Sequence, residues 1–346
     1  MRGCRTGRFA SLFGFMAERV LVTGASGFVG GAVARLLAGR GHVVRATGRR
    51  ERPADLPETI EYVRADLCDR EAVAGLCAGR GAVVHAAAKA GVWGPEEDYR
   101  RANVEATAIL LDAAREAGAR AFVFTSTPSV VFHGGPIRGG DESLPYGERF
   151  PCAYPATKAE AERRVLAADG DGFRTLALRP HLVWGPGDPH LFPRIFARAD
   201  AGKLRIVGRG DNRVDVTFVD NVAEGHAAAL EALLAGRGGG RAFFLTQDEP
   251  VELWPFLNRV LEATGRPRLR RRVPLPVARF AGAACESVWR IAGREGEPPM
   301  TRFVATELAT DHWFSSRAAR ETLGYRPTVS VEAGIERYAE SLHGGG

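Results

Sequence analysis

Apolar residues along this chain recur in two alternating registers. Short continuous apolar runs are separated by longer segments in which apolar positions return every three or four residues. The runs at Glu18–Thr23, His42–Thr47, Ile60–Arg64, Ala82–His85, Ala121–Thr125 and Thr175–Leu178 predict strands buried on both faces. Between them, Phe28–Arg40 (Val29, Val33, Leu36, Leu37), Asp98–Ala117 (Val104, Ala108, Leu111, Ala114) and Tyr154–Ala168 predict helices. Strand and helix in alternation predict an α/β fold, a Rossmann-type doubly wound parallel sheet. After Arg179-Pro180 the rhythm breaks. Proline and glycine thicken over Gly185–Pro189, followed by a helix near Leu191–Ala201, a strand near Asp215–Val219, a helix over Asn221–Leu234 and a glycine loop at Gly236–Gly240. We therefore expect a nucleotide-binding domain over residues 16–180 and a smaller C-terminal substrate lobe over 181–346, with segments near 215–235 packing back on the first domain. Residues 1–15 read differently: basic residues precede Phe9–Phe15, a stretch too short and glycine-broken for a signal peptide, so a disordered leader or a mis-assigned start is expected.

Composition narrows the class. At 346 residues, 45% hydrophobic and 25% charged, the chain can bury one large core or a core with a smaller lobe. Its net charge of +6 is spread along the sequence, apart from the run Arg266–Arg272. That run lacks interleaved aromatic residues, so it reads as a solvated loop or a patch for acidic partners and not as a nucleic-acid surface. The five cysteines are scattered without metal-ligand spacing, so neither a metal site nor a disulfide frame is expected, and the compartment is expected to be a reducing cytoplasm. The nearest approach to a membrane span, Pro274–Ala292, is interrupted by Arg279, Glu286 and Arg290. It reads as an amphipathic helix covering a pocket or docking a partner.

The candidate chemistry sits on this frame. Among 47 basic residues only three are lysines, and one of them, Lys158, lies four residues after Tyr154. On a helix the two share a face. A phenol is a poor acid–base group at neutral pH, and a neighbouring ammonium favours its ionised form. Upstream, Gly24-Ala25-Ser26-Gly27-Phe28-Val29-Gly30 joins the first strand to the first helix, so that backbone amides can approach a pyrophosphate at a helix N-terminus. Ligands collect at the carboxyl ends of such strands. After the second strand stand Arg49 and Arg50 where an acid would select NAD, which favours a 2′-phosphate and so NADP. After the third come Asp66-Leu67, for the adenine or as a cap of the next helix. The fourth is followed by Ala86-Ala87-Ala88, small enough to floor a nicotinamide ribose, and the fifth by Thr125-Ser126-Thr127-Pro128-Ser129, a source of hydroxyls for a substrate carbonyl.

Together with Asn103, Arg179-Pro180 and Val219-Asp220, these residues resemble the extended short-chain dehydrogenase/reductase family over nearly everything from Met16 on. The resemblance implies Tyr154 as proton donor and acceptor, Lys158 as the group that lowers its pKa and binds the nicotinamide ribose, and Thr127 as third member, with Ser126 and Ser129 as alternatives. It further implies a cofactor site of Gly24, Ser26, Gly27, Phe28, Gly30, Arg49, Arg50, Asp66, Leu67, Ala86, Ala87, Ala88, Asn103, Tyr154, Lys158, Pro180 and Val183. Longer strings, His85–Gly94, Thr125–Val130, Leu178–Asp188 and Gly296–Phe303, look like the 2-alkyl-3-oxoalkanoate reductases of bacterial long-chain olefin biosynthesis. That group is itself similar to 3β-hydroxysteroid and sterol-4α-carboxylate 3-dehydrogenases, which are the alternative function. The implied reaction is NADPH-dependent reduction of the 3-ketone of a long, branched β-keto acid. Lys89 and His181 are candidate partners for its carboxylate, and Trp93 and Trp184 candidate walls for its acyl chains. A homodimer and association with other enzymes of that pathway are the partner expectations. A nucleotide-sugar epimerase or dehydratase and a non-catalytic NADP sensor rank lower, because the second half is rich in apolar residues and both Tyr154 and Lys158 are present.

Overall fold

A computed structural model describes residues 17–189, 191–294 and 296–343; the expectation for residues 1–15 lies outside them. Seven parallel strands form the central sheet: β1 (Arg19–Thr23), β2 (Val43–Gly48), β3 (Glu61–Arg64), β4 (Ala82–His85), β5 (Ala121–Thr125), β6 (Arg174–Pro180) and β7 (Arg241–Leu245). Their spatial order is β3-β2-β1-β4-β5-β6-β7, so the strand sequence reverses between β1 and β4. Ligands bind at such a switch point in doubly wound sheets. Helices α1 (Phe28–Gly39), α2 (Arg70–Cys77), α3 (96–116), α4 (Ala153–Ala167) and α5 (Val219–Leu234) cover the two faces. The strands are continuous apolar runs because both faces are covered: Val20, Leu21, Val22, Val83, Phe122, Val123 and Phe124 are all fully buried.

The six expected strands and the first-half helices form within a few residues of their expected bounds. Two elements escape the expectation. The seventh strand, β7, follows the glycine loop and pairs in register with β6, Phe243 opposite Leu178. The first domain therefore borrows its last strand from beyond residue 180, just as α5 packs back on α1. Conversely, Ile137–Gly140 leaves the first half and joins His312–Phe314, Arg213–Val214 and Val251–Glu252 in a four-stranded sheet of the lobe. The strand expected near Asp215–Val219 shortens to Thr217–Phe218, paired with Val183–Trp184. Each of these lobe strands is two to four residues long, too short to leave a periodic signature.

Candidate active site

Glycine at positions 24 and 30 is dictated by close approach. Gly24 has φ +70°, and a Cβ there would stand 2.7 Å from the Ala87 nitrogen at the end of β4. A Cβ on Gly30 would stand 2.4 Å from the Gly24 carbonyl oxygen. The loop is thus pressed against both the next strand and its own helix. Helix α1 has no side-chain cap at Gly27 and no acid in its first turn, so its leading amides remain available to an anion. At the end of β2 the Arg64 guanidinium donates to the Arg49 carbonyl (2.9 Å) and the Tyr62 hydroxyl to the Arg50 carbonyl (2.7 Å). Those bonds present Arg49 and Arg50 beside the glycine loop, where Arg50 reaches the Ser26 carbonyl. Asp66 does not cap α2; Asp69 does, while Asp66 pairs with Arg101 at 3.1 Å beside buried Leu67. Residues 24–30, 49–50, 66–67 and 86–88 therefore line one continuous row of strand ends, and this cradle fits an extended dinucleotide.

The floor beneath it is pinned by one chain of hydrogen bonds. The Ala87 amide donates to the Thr23 hydroxyl (3.2 Å), which bonds His85 Nδ1 (2.7 Å). His85 Nε2 meets the Thr107 hydroxyl (2.9 Å), whose own proton goes to the Asn103 carbonyl (2.6 Å). That order fixes His85 as the Nε2–H tautomer. Burial, with Lys158 nearby, pushes its pKa down to about 3, so it is a neutral strut. Asn103 sits where α3 widens into a π-helical turn (Arg100–Glu105). Its carboxamide is committed internally, accepting from the Lys89 amide (2.8 Å) and donating to the Lys89 carbonyl (3.0 Å) and the Thr157 hydroxyl (3.1 Å). Asn103 was expected to touch cofactor; here it ties the loop after β4 to the turn of α4 between Tyr154 and Lys158.

Tyr154 and Lys158 do share a face of α4, and the Thr127 hydroxyl lies close enough to the Tyr154 phenol to favour its ionised form. Ser129 bonds the Thr127 hydroxyl (3.0 Å), and the Ser126 hydroxyl is buried without a partner among the described residues. Of the three candidate hydroxyls, Thr127 stands nearest the phenol's chemistry. Lys158 is almost fully buried, donates to the Thr125 carbonyl (2.5 Å) and lies over the Phe124 ring at 3.9 Å. Desolvation lowers its pKa to about 7, partly countered by Glu162. Desolvation likewise pushes Tyr154 up to about 12. The expected depression of the phenol by Lys158 is absent: the ammonium is turned to the Thr125 carbonyl, and burial sets the phenol's pKa.

Beyond Tyr154 opens a cleft of about 640 Å³ lined by Trp93, Tyr99, Phe132, Cys152, Arg290 and Phe303, among others. Trp93 lines it, with the Arg290 guanidinium 5.8 Å from its ring. Lys89 is bound to Asp98 at 2.6 Å and lies 5.1 Å from the Tyr99 ring, so its charge is already partnered. Two assignments are corrected. Trp184 is no wall of the cleft: it is fully buried, packed edge-on against Phe218 (5.2 Å) and Phe256 (5.1 Å). The adjacent strand position, Val183, points the other way and is only partly buried. His181 is no cation for a carboxylate. It bonds His312 (3.2 Å), and burial holds it neutral with a pKa near 3. Between them, Leu182 adopts φ +36°, a strained turn for a branched side chain, between Pro180 at the end of β6 and the short strand Val183–Trp184. Sequence reasoning gave Glu297 no role, yet it accepts from the Val92 amide (3.0 Å) and pairs with Arg194. It thereby fastens the loop after β4 to the C-terminal lobe, a contact across some two hundred residues that spacing cannot show.

A switch-point cradle for a dinucleotide with a Tyr–Lys helix and a hydroxyl on the next strand defines an extended short-chain dehydrogenase/reductase, an oxidoreductase. Residues 21–277 match the 3-beta hydroxysteroid dehydrogenase/isomerase family, and the chain belongs to it. It is 44% identical over 326 residues to a 2-alkyl-3-oxoalkanoate reductase of Stenotrophomonas maltophilia, covering 93% of this chain and 99% of that one. A reductase of the same name from Shewanella oneidensis is 41% identical, with 94% and 86% covered. The mouse sterol-4-alpha-carboxylate 3-dehydrogenase (decarboxylating) is 33% identical, with 94% and 91% covered. Among solved structures, MoeE5 in complex with UDP-glucose and NAD superposes with a TM-score of 0.72 at 25% identity, covering 94% of this chain and 98% of that one.

Proposed function

We propose that this enzyme reduces the 3-keto group of a long-chain 2-alkyl-3-oxoalkanoate to the 3-hydroxy acid with NADPH, in long-chain olefin biosynthesis. The observation that carries the reading is the end-to-end similarity to reductases of that name, joined to an intact Tyr154–Lys158–Thr127 arrangement beside an aromatic cleft. The nicotinamide dinucleotide supplies the hydride when bound along the row of strand ends. Gly24, Gly27 and Gly30 would receive its pyrophosphate, and Lys158 its nicotinamide ribose. Arg49 and Arg50 would take the 2′-phosphate, since no acid occupies the end of β2 to claim a ribose hydroxyl.

The chain's own chemistry is proton delivery. Thr127 and Tyr154 hold the substrate carbonyl oxygen through hydrogen bonds, and Tyr154 releases its proton to that oxygen as charge develops there. A phenol held near 12 keeps its proton until then. The Thr127 hydroxyl, which favours the ionised phenol, then stabilises the phenolate left behind. The substrate carboxylate needs a partner in a partly desolvated cleft. Lys89 joins it there only by sharing Asp98, whereas Arg279 and Arg290 line the cleft without forming an ion pair among the described residues.

Turnover of a racemic 2-alkyl-3-oxoalkanoate by purified protein, followed by NADPH consumption, tests the reading. Absence of turnover with either NADPH or NADH, alongside activity on a 3β-hydroxysteroid, would reassign the substrate to the sterol class. Replacing Arg49 and Arg50 together by alanine should raise the KM for NADPH at least tenfold more than that for NADH, on the scale of about 1.5–3 kcal/mol per charge-assisted bond. A wild-type preference for NADH would sink the cofactor assignment.

A further inference from the structure

Helix α4 carries a charge one turn beyond Lys158. Glu162 stands four residues after Lys158, so Tyr154, Lys158 and Glu162 run along one face of the helix. Glu162 is fully buried, and Lys158 is 2% exposed. Glu160, two residues earlier, is partly exposed and engaged by Arg100 (2.8 Å) and Arg164 (3.0 Å). A buried carboxylate keeps its charge only when it is paired. Arg179 on β6 supplies the pairing, with Nη2 2.5 Å from Oε1 and Nε 3.2 Å from both oxygens. The Tyr146 hydroxyl donates to Oε1 as well (2.8 Å), and the Phe244 ring lies 5.1 Å from the guanidinium.

A buried ion pair of this kind adds little net stability over apolar residues of the same volume. What it does supply is a fixed negative charge one turn behind Lys158. The other groups around that ammonium supply none. His85 on β4 is neutral, and Tyr154 keeps its proton up to about 12. The contacts on β5 are the Thr125 carbonyl (2.5 Å) and the Phe124 ring (3.9 Å). Burial holds the carboxyl of Glu142, the other acid near Arg179, above the usual carboxylate range. Burial also depresses Lys158 to about 7, and the Glu162 charge is what opposes it.

We propose that Glu162 is a positioning residue of the active site: its carboxylate, held by Arg179 and Tyr146, keeps Lys158 an ammonium, so that Lys158 meets the nicotinamide ribose as a cation. The ribose contact rests on the assignment of Lys158 under the proposed function; the charge of Lys158 does not.

The scarcity of lysine makes that charge directly readable. With lysine isotopically labelled at Cε and Nζ, the full chain carries three lysine side-chain signals by NMR, and Lys158→Met identifies the one from Lys158. In the free enzyme, Glu162→Gln should lower the pH at which that signal titrates by about one pH unit or more. Glu162→Asp, which keeps a charge there, should return most of the difference. Glu162→Gln combined with Arg179→Met leaves no unpaired guanidinium in the core, and should show the same downward shift should the single variant fail to fold. Dinucleotide affinity at pH 7 should fall about fivefold in the Gln variant, the loss of charged Lys158 that one pH unit brings. An unmoved Lys158 signal in a folded Gln or double variant overturns the proposal, even if thermal stability is lost. A shifted signal with unchanged dinucleotide affinity upholds the role of Glu162 and removes Lys158 from the ribose.

Discussion

The floor of the active site and the lobe that faces it are both rich in buried polar groups, but they treat those groups in opposite ways. On the floor, Thr23, His85, Thr107, Asn103 and Thr157 hand hydrogen bonds from one to the next, and the side chains of all five find partners. In the lobe, His181, His312, Asp215 and Glu307 crowd together. There His181 Nδ1, Asp215 Oδ1 and Glu307 Oε1 are buried with no hydrogen-bond partner among the described residues. Burial raises the Asp215 pKa to about 7. A satisfied buried network rigidifies, whereas an incomplete one costs stability. The comparison teaches that precision is concentrated beneath the loop after β4, where five side chains fix its course. The lobe behind the substrate is built with reserve.

The largest effect that sharpens the contrast falls on the floor's chemistry. Tyr154→Phe should lower the chemical rate by ~10²–10⁴ while leaving dinucleotide affinity nearly intact. Stopped-flow turnover beside a binding titration checks both, and near-normal turnover would remove Tyr154 from its role. Next, Gly30→Ala forces a methyl into the Gly24 carbonyl, and should cost about 1–3 kcal/mol and most of the dinucleotide binding. Denaturant unfolding that shows no loss would mean the loop relaxes freely, contrary to a rigid floor. Asn103→Leu strands the Lys89 amide and carbonyl, and should cost about 1–3 kcal/mol for each group left unpaired.

The smallest effect lies in the lobe and has the opposite sign. Asp215 holds its proton in the fold up to about pH 7 but only to its ordinary value of 3.8 when unfolded. Folded protein therefore binds more protons between those values, and stability falls as pH rises through them. Asp215→Asn keeps an acceptor for the Phe314 amide (2.6 Å) and removes the charge. It should be neutral at pH 4 and stabilising by about 1 kcal/mol at pH 8. Lys158 runs the other way: with its pKa lowered from 10.5 to about 7, stability is regained between pH 7 and 10.5, and Lys158→Met should abolish that slope. Unfolding midpoints at four pH values measure both, and parallel curves for wild type and variants would erase the contrast.

The sequence by itself determined the sheet, because each strand of a parallel sheet buried on both faces must be a continuous apolar run, and each covering helix must carry a stripe. It likewise determined the glycine loop and the Tyr154–Lys158 spacing, since both depend on residues within a turn or two of each other. Only the tertiary structure decided what depends on distant segments. β7 is as long as β5 but lies beyond the break in the alternation, far along the chain from its partner β6, and the exchanged strand Ile137–Gly140 is too short to announce its partner. Trp184 and His181 read as cleft residues from their place after β6, yet ring packing and desolvation turned them inward. Asn103 and Glu297 acquired their work as clamps on the loop after β4 only when the chain brought them to it. Local periodicity is written in neighbouring residues, whereas burial, charge state and hydrogen-bond partners are properties of what the folded chain places around each of them.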